Sequence, residues 1–169
     1  RAWEAQIRAR GTVAIDTETT GLNDMRADLV GISLCVEAGT ACYIPLTHKD
    51  SGSNDLFGSN NLAEGQLDLD AVLTVLKPLL EDPAVLKVGQ NMKYDFIILK
   101  NNGIEIEPVE DTMLLSYTLD AGNNRHNMDT LSEIHLGHKT ITYKELVGTG
   151  KKELSFSDIL ISYIKFSRQ

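Results

Sequence analysis

Short apolar runs separated by polar turns make up the N-terminal part of the chain and indicate β-strands. The run "TVAID", Thr12 to Asp16, is short and β-branched, which is typical of a buried strand. Two further runs, Leu29–Val36 and Thr40–Pro45, flank the turn-like "EAGT" and predict a hairpin. The three strands together predict an antiparallel meander.

The rest of the chain changes to helical spacing of apolar residues, interrupted by short extended segments. The segment "LDLDAVLTVLKPLLED" predicts a helix, with Asp68 or Asp70 as its N-cap and Pro78 as a kink or an early end. Further helices are predicted in "NMKYDFIILKNNG", "DTMLLSYTLDAG" and "NMDTLSEIHLG", and extended segments in "AVLKVG" and "IEIEPVE". Residues 51–65 predict a surface loop, and residues 139–169 are polar and then weakly helical.

This order of elements predicts an α/β fold with a mixed sheet and a single domain over residues 1–169. The hydrophobic fraction of 42% is typical of a globular protein. No apolar run reaches the ~20 residues of a membrane span, and no secretion signal opens the chain, so we predict no membrane partner. Because the sequence starts at Arg1 rather than Met, we expect it to be part of a longer protein.

The charge balance and the two cysteines narrow the prediction further. A net charge of −8 argues against a broad basic face that grips nucleic acid, but it leaves room for a small acidic site that reaches phosphate through bound cations. Cys35 and Cys42 lack the spacing of a redox or zinc motif. We expect them to be buried free thiols, with a disulfide across the hairpin as the less favoured alternative.

Two carboxylates, Asp16 and Glu18, stand at the end of the first predicted strand. Residues two apart in a strand point to the same side, so these anions repel each other unless a partner compensates their charge. Divalent cations that prefer oxygen ligands, Mg²⁺ or Mn²⁺, are natural partners. The alternative is a strand that ends in a polar turn, with both acids solvated.

A third carboxylate, Asp95, lies in the first turns of the helix that directly follows a predicted strand. Helical spacing puts Asn91 and Asp95 on one face, with Tyr94 beside that face. The alternative is an ordinary amphipathic helix in which Asp95 interacts only with the helix dipole.

Taken together, these segments resemble a known family. "AIDTETTGL" is similar to the first motif, and "VGQNMKYD" to the second motif, of the 3′–5′ proofreading exonuclease domain of bacterial family A DNA polymerases, the DNA polymerase I type. The resemblance continues through "DTMLLSYTLDAG" and "RHNMDTLSEIHLGHKTITYKELVGTGKKELSF", and it covers residues 13–156.

The resemblance implies a ribonuclease-H-like fold, a mixed five-stranded sheet flanked by helices, and a DEDD exonuclease that hydrolyses DNA from its 3′ end with two divalent cations, Mg²⁺ or Mn²⁺. It implies that the metal ligands include Asp16, Glu18 and Asp95. It implies substrate contacts by four residues, Thr19, Leu22, Asn91 and Tyr94. The implied partners are a single-stranded DNA 3′ end and a polymerase domain in the same chain, in the bacterial cytoplasm.

The third family motif, Tyr-x-x-x-Asp, has no match in this sequence. Ser167 stands where an aspartate should follow Tyr163, and no acid occurs after Asp158. Three explanations stay open: the sequence ends before the motif, the natural gene is truncated or shifted in frame, or the domain is a catalytically silent or impaired exonuclease-fold module. A further alternative is an RNA-trimming enzyme of the ribonuclease D kind. We expect a site that lacks one of four metal ligands to lose much of its activity.

Other polar clusters have simpler explanations. His135 and His138 are three apart, but Gly137 between them predicts a helix end rather than a zinc site. Asp111 begins a predicted helix and is expected to be its cap. The segment "GTGKKE" lacks the spacing of a phosphate-binding loop.

Overall fold

The computed structural model describes residues 2–50, 62–150, 154–159 and 161, and these form a five-stranded sheet with helices packed against it. The strands are β1 (Thr12–Thr19), β2 (Leu29–Glu37), β3 (Thr40–Pro45), β4 (Leu86–Gly89) and β5 (Val109–Asp111). The helices are α1 (Ala2–Arg10), α2 (Leu69–Leu80), α3 (Met92–Asn101), α4 (Thr112–Leu119), α5 (Met128–Leu136) and α6 (Tyr143–Val147). A 3₁₀ turn, Phe156–Asp158, follows α6.

The strand order in the sheet is β3-β2-β1-β4-β5. The first three strands pair antiparallel as a meander, whereas β4 pairs parallel to β1 and β5 pairs parallel to β4. Parallel neighbours need crossover connections, and α2 and α3 supply them on the way into β4 and β5. The predicted mixed sheet and antiparallel meander are both confirmed.

The main hydrophobic core lies between the sheet and the helices α1, α2 and α3. Alternate residues of β1, Val13 and Ile15, point into this core, as the period of a strand requires. The helices contribute aliphatic side chains that are almost completely buried: Ile7, Leu76, Leu79, Leu80, Ile98 and Leu99. This packing fixes β1 and α3 relative to each other, and both carry candidate site residues.

Helix α2 follows its prediction at the start and departs from it near the end. Asp68 is the N-cap, because its side chain accepts a hydrogen bond from the Ala71 N–H at 2.9 Å, whereas Asp70 lies inside the first turn. The predicted early end at Pro78 is wrong, since the helix continues to Leu80. Leu79 and Leu80 are fully buried, so tertiary packing holds the turn that the proline would weaken.

Two short elements differ from the sequence prediction. Helix α1 was not predicted, and Ile7 is its one buried residue, so its sequence lacks an apolar stripe. The segment "IEIEPVE" was predicted to be a brief extended piece, and only its last two residues, Val109 and Glu110, belong to a strand, β5. Ile104 and Ile106 are buried in the core without belonging to the sheet, which explains why they look like strand residues.

The hairpin register explains why the cysteines are free thiols. Cys35 lies opposite Ala41, and Cys42 lies opposite Leu34, so the two sulfurs belong to different faces of the sheet. The thiols are half-buried rather than buried, which corrects that part of the prediction. Burial raises the pKa of the Cys42 thiol to about 11.

Residues 51–61 of the predicted surface loop and residues 162–169 of the polar C-terminal segment lie outside the described residues. None of the helices in the described part of the chain combines the length and the apolar character that crossing a bilayer requires.

A buried lysine connects strand β4 to the backbone segments that precede β4 and β5. Lys87 on β4 is 0% exposed, and its Nζ donates hydrogen bonds to the carbonyl oxygens of Asp82 at 3.0 Å, Val85 at 2.7 Å and Glu107. Burial lowers the pKa of this lysine, and the nearby acids Asp82 and Glu107 oppose that shift. Its three carbonyl partners account for its burial, so we assign it a structural role.

Candidate active site

The candidate site forms where β1 extends beyond its parallel neighbour. Pairing between β1 and β4 covers only Thr12 to Ala14, so the later residues of β1 have an open edge on that side. Asp95, in the first turn of α3, occupies this edge: its Oδ1 accepts hydrogen bonds from the Thr17 N–H at 2.8 Å and from the Thr17 hydroxyl at 2.6 Å. Asp95 of the second motif is therefore in direct contact with Thr17, which lies between Asp16 and Glu18 in the first motif.

Burial makes the charged form of Asp95 unfavourable in this position. The residue is 3% exposed, and burial raises the pKa of its carboxyl to about 6. The hydrogen bonds from Thr17 oppose this rise, and the charge of nearby Asp16 adds to it. Asp16 and Asp95 are therefore close enough to interact, and the protein alone does not fully compensate the charge of Asp95.

Asp16 and Glu18 lie on the face of the sheet opposite to the Val13 and Ile15 side chains. Directly opposed residues of antiparallel strands share a face, and the register aligns Asp16 with Ser33 and Tyr43, and Glu18 with Gly31. A cavity of about 450 Å³ runs over this face, and Asp16 is part of its lining. The cavity also reaches Gln90, Thr112 and Met128, on the side of β4, α4 and α5.

Tyr43 and His48 form a hydrogen-bonded pair beside the acidic residues. The Tyr43 hydroxyl lies 2.6 Å from Nε2 of the fully buried His48, and the tyrosine ring covers Gly31, where a Cβ atom would collide with it. Burial and the charge of Asp16 both raise the pKa of Tyr43, and burial lowers the pKa of His48. Both shifts favour the neutral forms, so the pair adds polar groups but no charge to this face.

The four residues expected to contact a substrate lie around the end of β1 and the start of α3. Tyr94 donates a hydrogen bond from its hydroxyl to the Gly21 carbonyl at 2.6 Å and also contacts the Thr19 hydroxyl, so it holds the turn after β1 against α3. Leu22 on that turn is 93% exposed, an unusual position for a leucine. Asn91, also exposed, adopts a left-handed conformation with φ 59°.

The structure brings Asp16, Glu18 and Asp95 to one end of β1, but their side chains do not form a closed metal cage. Within residues 2–50, 62–150, 154–159 and 161, no group of three or more His, Cys, Asp or Glu side chains could hold a metal ion. His135 belongs to α5, which ends at Gly137 in a left-handed conformation, as the sequence predicted. The position expected for the third motif, after Tyr163, lies outside the described residues.

Sequence reasoning missed Thr17, Tyr43 and His48 as neighbours of the acids. The contact of Thr17 with Asp95 depends on where β4 stops, and no local sequence signal reports this. Tyr43 could have been placed near Asp16 from the strand register. Asp16 pairs with Ser33 of β2, and Ser33 pairs with Tyr43 of β3, so the three residues lie in one row across the sheet. His126, in the loop before α5, is also buried, and its Nδ1 lies 2.8 Å from the Ser116 hydroxyl of α4.

Comparisons with known proteins agree with the two motifs. A family model described as 3′–5′ exonuclease matches residues 1–163. DNA polymerase I of Rhizobium leguminosarum is 50% identical over 91% of this chain and 16% of that polymerase. DNA polymerase I of Pseudomonas aeruginosa is 44% identical over 95% of this chain and 17% of that polymerase. The chain thus spans about one sixth of the length of these relatives.

Solved structures share the fold at low sequence identity. Brucella melitensis NrnC with bound Mg²⁺ has a TM-score of 0.62 at 20% identity, over 94% of this chain and 65% of that one. Escherichia coli RNase D, described as an exoribonuclease involved in structured RNA processing, has a TM-score of 0.63 at 16% identity, over 99% of this chain and 37% of that one. The predicted ribonuclease-H-like architecture is confirmed.

Proposed function

This chain belongs to the 3′–5′ exonuclease family that occurs in DNA polymerase I, and we propose that it removes nucleotides from the 3′ end of a DNA strand by metal-dependent hydrolysis, as in proofreading. One observation carries this proposal. Asp95 of α3 is hydrogen-bonded to Thr17, the residue between Asp16 and Glu18, so the two family motifs that carry these three carboxylates come together at the open edge of β1.

We propose Asp16, Glu18 and Asp95 as ligands of two divalent cations, Mg²⁺ or Mn²⁺. Carboxylate oxygens are the ligands that these ions prefer, and a bound cation would compensate the Asp95 charge that burial disfavours. Bound cations would lower the pKa of a water molecule and stabilise charge on the departing 3′ oxygen.

The role of the protein groups around the acids is to hold the terminal nucleotide. Tyr94 fixes the turn that carries Leu22, and the exposed leucine side chain would pack against the terminal base. Thr19 and Asn91 would contact the sugar and the phosphate. Contacts of this kind read no base edge, so we expect weak sequence preference and a requirement for an unpaired 3′ end.

Two alternatives remain testable. The first is a catalytically silent module, which would follow if the longer protein also lacks the Tyr-x-x-x-Asp motif that these 169 residues do not contain. An RNA-trimming enzyme of the ribonuclease D kind would use the same fold and the same carboxylates. Since the matching relatives are about six times longer than the aligned segment, we propose a polymerase domain in the same protein as the partner, and the bacterial cytoplasm as the location.

The test compares 5′-labelled single-stranded DNA and RNA of one sequence, incubated with Mg²⁺, Mn²⁺ or EDTA. A ladder of shortened DNA that requires metal and disappears in Asp16→Ala supports the proposal. Asp70→Ala, on the exposed surface of α2, is the control for loss of an acid. Preferential RNA degradation would support the ribonuclease alternative. No degradation, together with no heat of Mn²⁺ binding in calorimetry, would support the silent module.

A further inference from the structure

We propose that Asp111 is a positioning residue for this site, because its single carboxylate caps two helices and thereby fixes the start of α3. The inference rests on the proposed function, since α3 carries Asn91, Tyr94 and Asp95. Sequence analysis assigned Asp111 as the cap of α4 alone, and the structure shows a second task.

Asp111 accepts hydrogen bonds from four backbone N–H groups. Its Oδ1 accepts from Met113 at 2.9 Å and Leu114 at 3.4 Å, which is the ordinary N-cap of α4. The same Oδ1 accepts from Asn91 at 3.0 Å, and Oδ2 accepts from Met92 at 2.9 Å. The positive ends of two helix dipoles therefore meet at one carboxylate.

Helix α3 depends on this external cap because its own N-cap residue provides none. Asn91 adopts φ 59° and its side chain makes no capping hydrogen bond. Asparagine is normally among the best capping residues, so its failure to cap leaves the first N–H groups of α3 to another acceptor. Asp111 supplies that acceptor from 20 residues further along the chain, and the side chain of Asn91 stays exposed.

The sheet fixes the position from which Asp111 acts. Asp111 ends β5 and lies opposite Gly89, the last residue of β4, and α3 begins at Met92, three residues after Gly89. Asp95 lies one turn into α3, where its Oδ1 must reach the N–H of Thr17. A shift of the first turn of α3 would therefore move Asp95 relative to Asp16 and Glu18, and misplacement of about 1 Å is enough to lower turnover strongly.

A single Asp→Asn change tests this role, with a matched control elsewhere in the fold. In Asp111→Asn, the amide oxygen can still cap α4, but the new NH₂ group faces the N–H of Met92. Because an NH₂ group cannot accept a hydrogen bond, α3 loses one of the two bonds that cap it. Asp68→Asn is the control, because Asp68 caps α2 through one oxygen and one N–H, that of Ala71, and asparagine caps equally well.

Three measurements on the full chain separate positioning from general stability: kcat and KM on single-stranded DNA, Mn²⁺ affinity by calorimetry, and hydrogen exchange of the Thr17 amide. We expect Asp111→Asn to lower kcat and Mn²⁺ affinity by about 10- to 100-fold, the range for groups that orient metal ligands, with a smaller change in KM. The Thr17 amide should exchange faster in this variant, because Asp95 no longer holds it. Asp68→Asn should change none of these quantities by more than about twofold.

The exchange measurement keeps the inference independent of activity. Unchanged exchange at Thr17 in Asp111→Asn overturns the positioning role, and so does a kcat within about twofold of an active wild type. If the wild type neither degrades DNA nor binds Mn²⁺, the proposed function fails. Faster exchange at Thr17 would then still show that Asp111 holds Asp95 against β1.

Discussion

Replacing Asp95 by asparagine should abolish activity and at the same time stabilise the metal-free fold. The asparagine side chain keeps an oxygen that can accept both hydrogen bonds from Thr17, so the local geometry has no reason to change. What disappears is the buried charge. The perturbation therefore removes the proposed metal ligand and the electrostatic penalty in a single step.

The size and sign of the effect follow from the pKa of Asp95. Folding raises this pKa from 3.8 to about 6, so the folded protein disfavours the carboxylate by about 2 pKa units, or about 3 kcal/mol. A raised acid pKa means that stability is highest when the group is protonated and falls as the pH rises from about 4 to above 6. Asp95→Asn escapes this loss, so its advantage should be about 3 kcal/mol at pH 8 and about half of that at pH 5.

Urea denaturation in EDTA at pH 5 and pH 8 measures the difference directly. Asp70→Asn on the exposed surface of α2 controls for loss of one negative charge from a chain of net charge −8. Adding Mg²⁺ at pH 8 should stabilise the wild type but not Asp95→Asn, because only the wild type offers the third carboxylate. The reasoning is refuted if Asp95→Asn is less stable than the wild type at pH 8, or if its advantage is the same at both pH values.

Two further substitutions test the packing that supports the site. Lys87→Met should lower the free energy of unfolding in urea by about 3 kcal/mol, because the carbonyl oxygens of Val85 and Glu107 lose a buried donor; an unchanged midpoint would contradict the structural role of this lysine. Gly31→Ala should lower stability by about 1–3 kcal/mol, because the new Cβ collides with the ring of Tyr43. In a Tyr43→Ala background the same change should cost much less by thermal unfolding, and an equal cost in both backgrounds would show that the tyrosine is not the obstacle.

Local patterns predicted the elements of the fold wherever burial follows a simple period. The β-branched runs of the meander and the apolar spacing of α2 are such cases, because one face of each element is buried against the core. Helix α1 was not predicted because Ile7 is its one buried residue, so its sequence shows no apolar period. Lys87 shows the opposite problem, since nothing near it in the sequence signals that its ammonium is buried and donates hydrogen bonds to three backbone carbonyl groups.

In the candidate site, too, some residue positions follow from local periodicity and others depend on tertiary contacts. The two-residue period of β1 places Asp16 and Glu18 on one face, and helical spacing places Asp95 in the first turns of α3. The contact of Asp95 with Thr17 depends instead on the length of β4, and the second capping role of Asp111 depends on the register between β4 and β5. These are relations between distant segments, so only the folded structure can reveal them.

The open edge of β1 explains why a buried strand can end in two negative charges. Because β4 stops at Gly89 and α3 begins three residues later at Met92, the helix brings Asp95 to a backbone N–H group of β1 that a longer β4 would otherwise have paired. A neutral asparagine would satisfy those groups without the penalty that burial places on the carboxylate. Stability alone therefore does not account for an aspartate at this position. The cation that we propose to bind Asp95, Asp16 and Glu18 would give this charge a use, because carboxylate oxygens are ligands that Mg²⁺ and Mn²⁺ prefer.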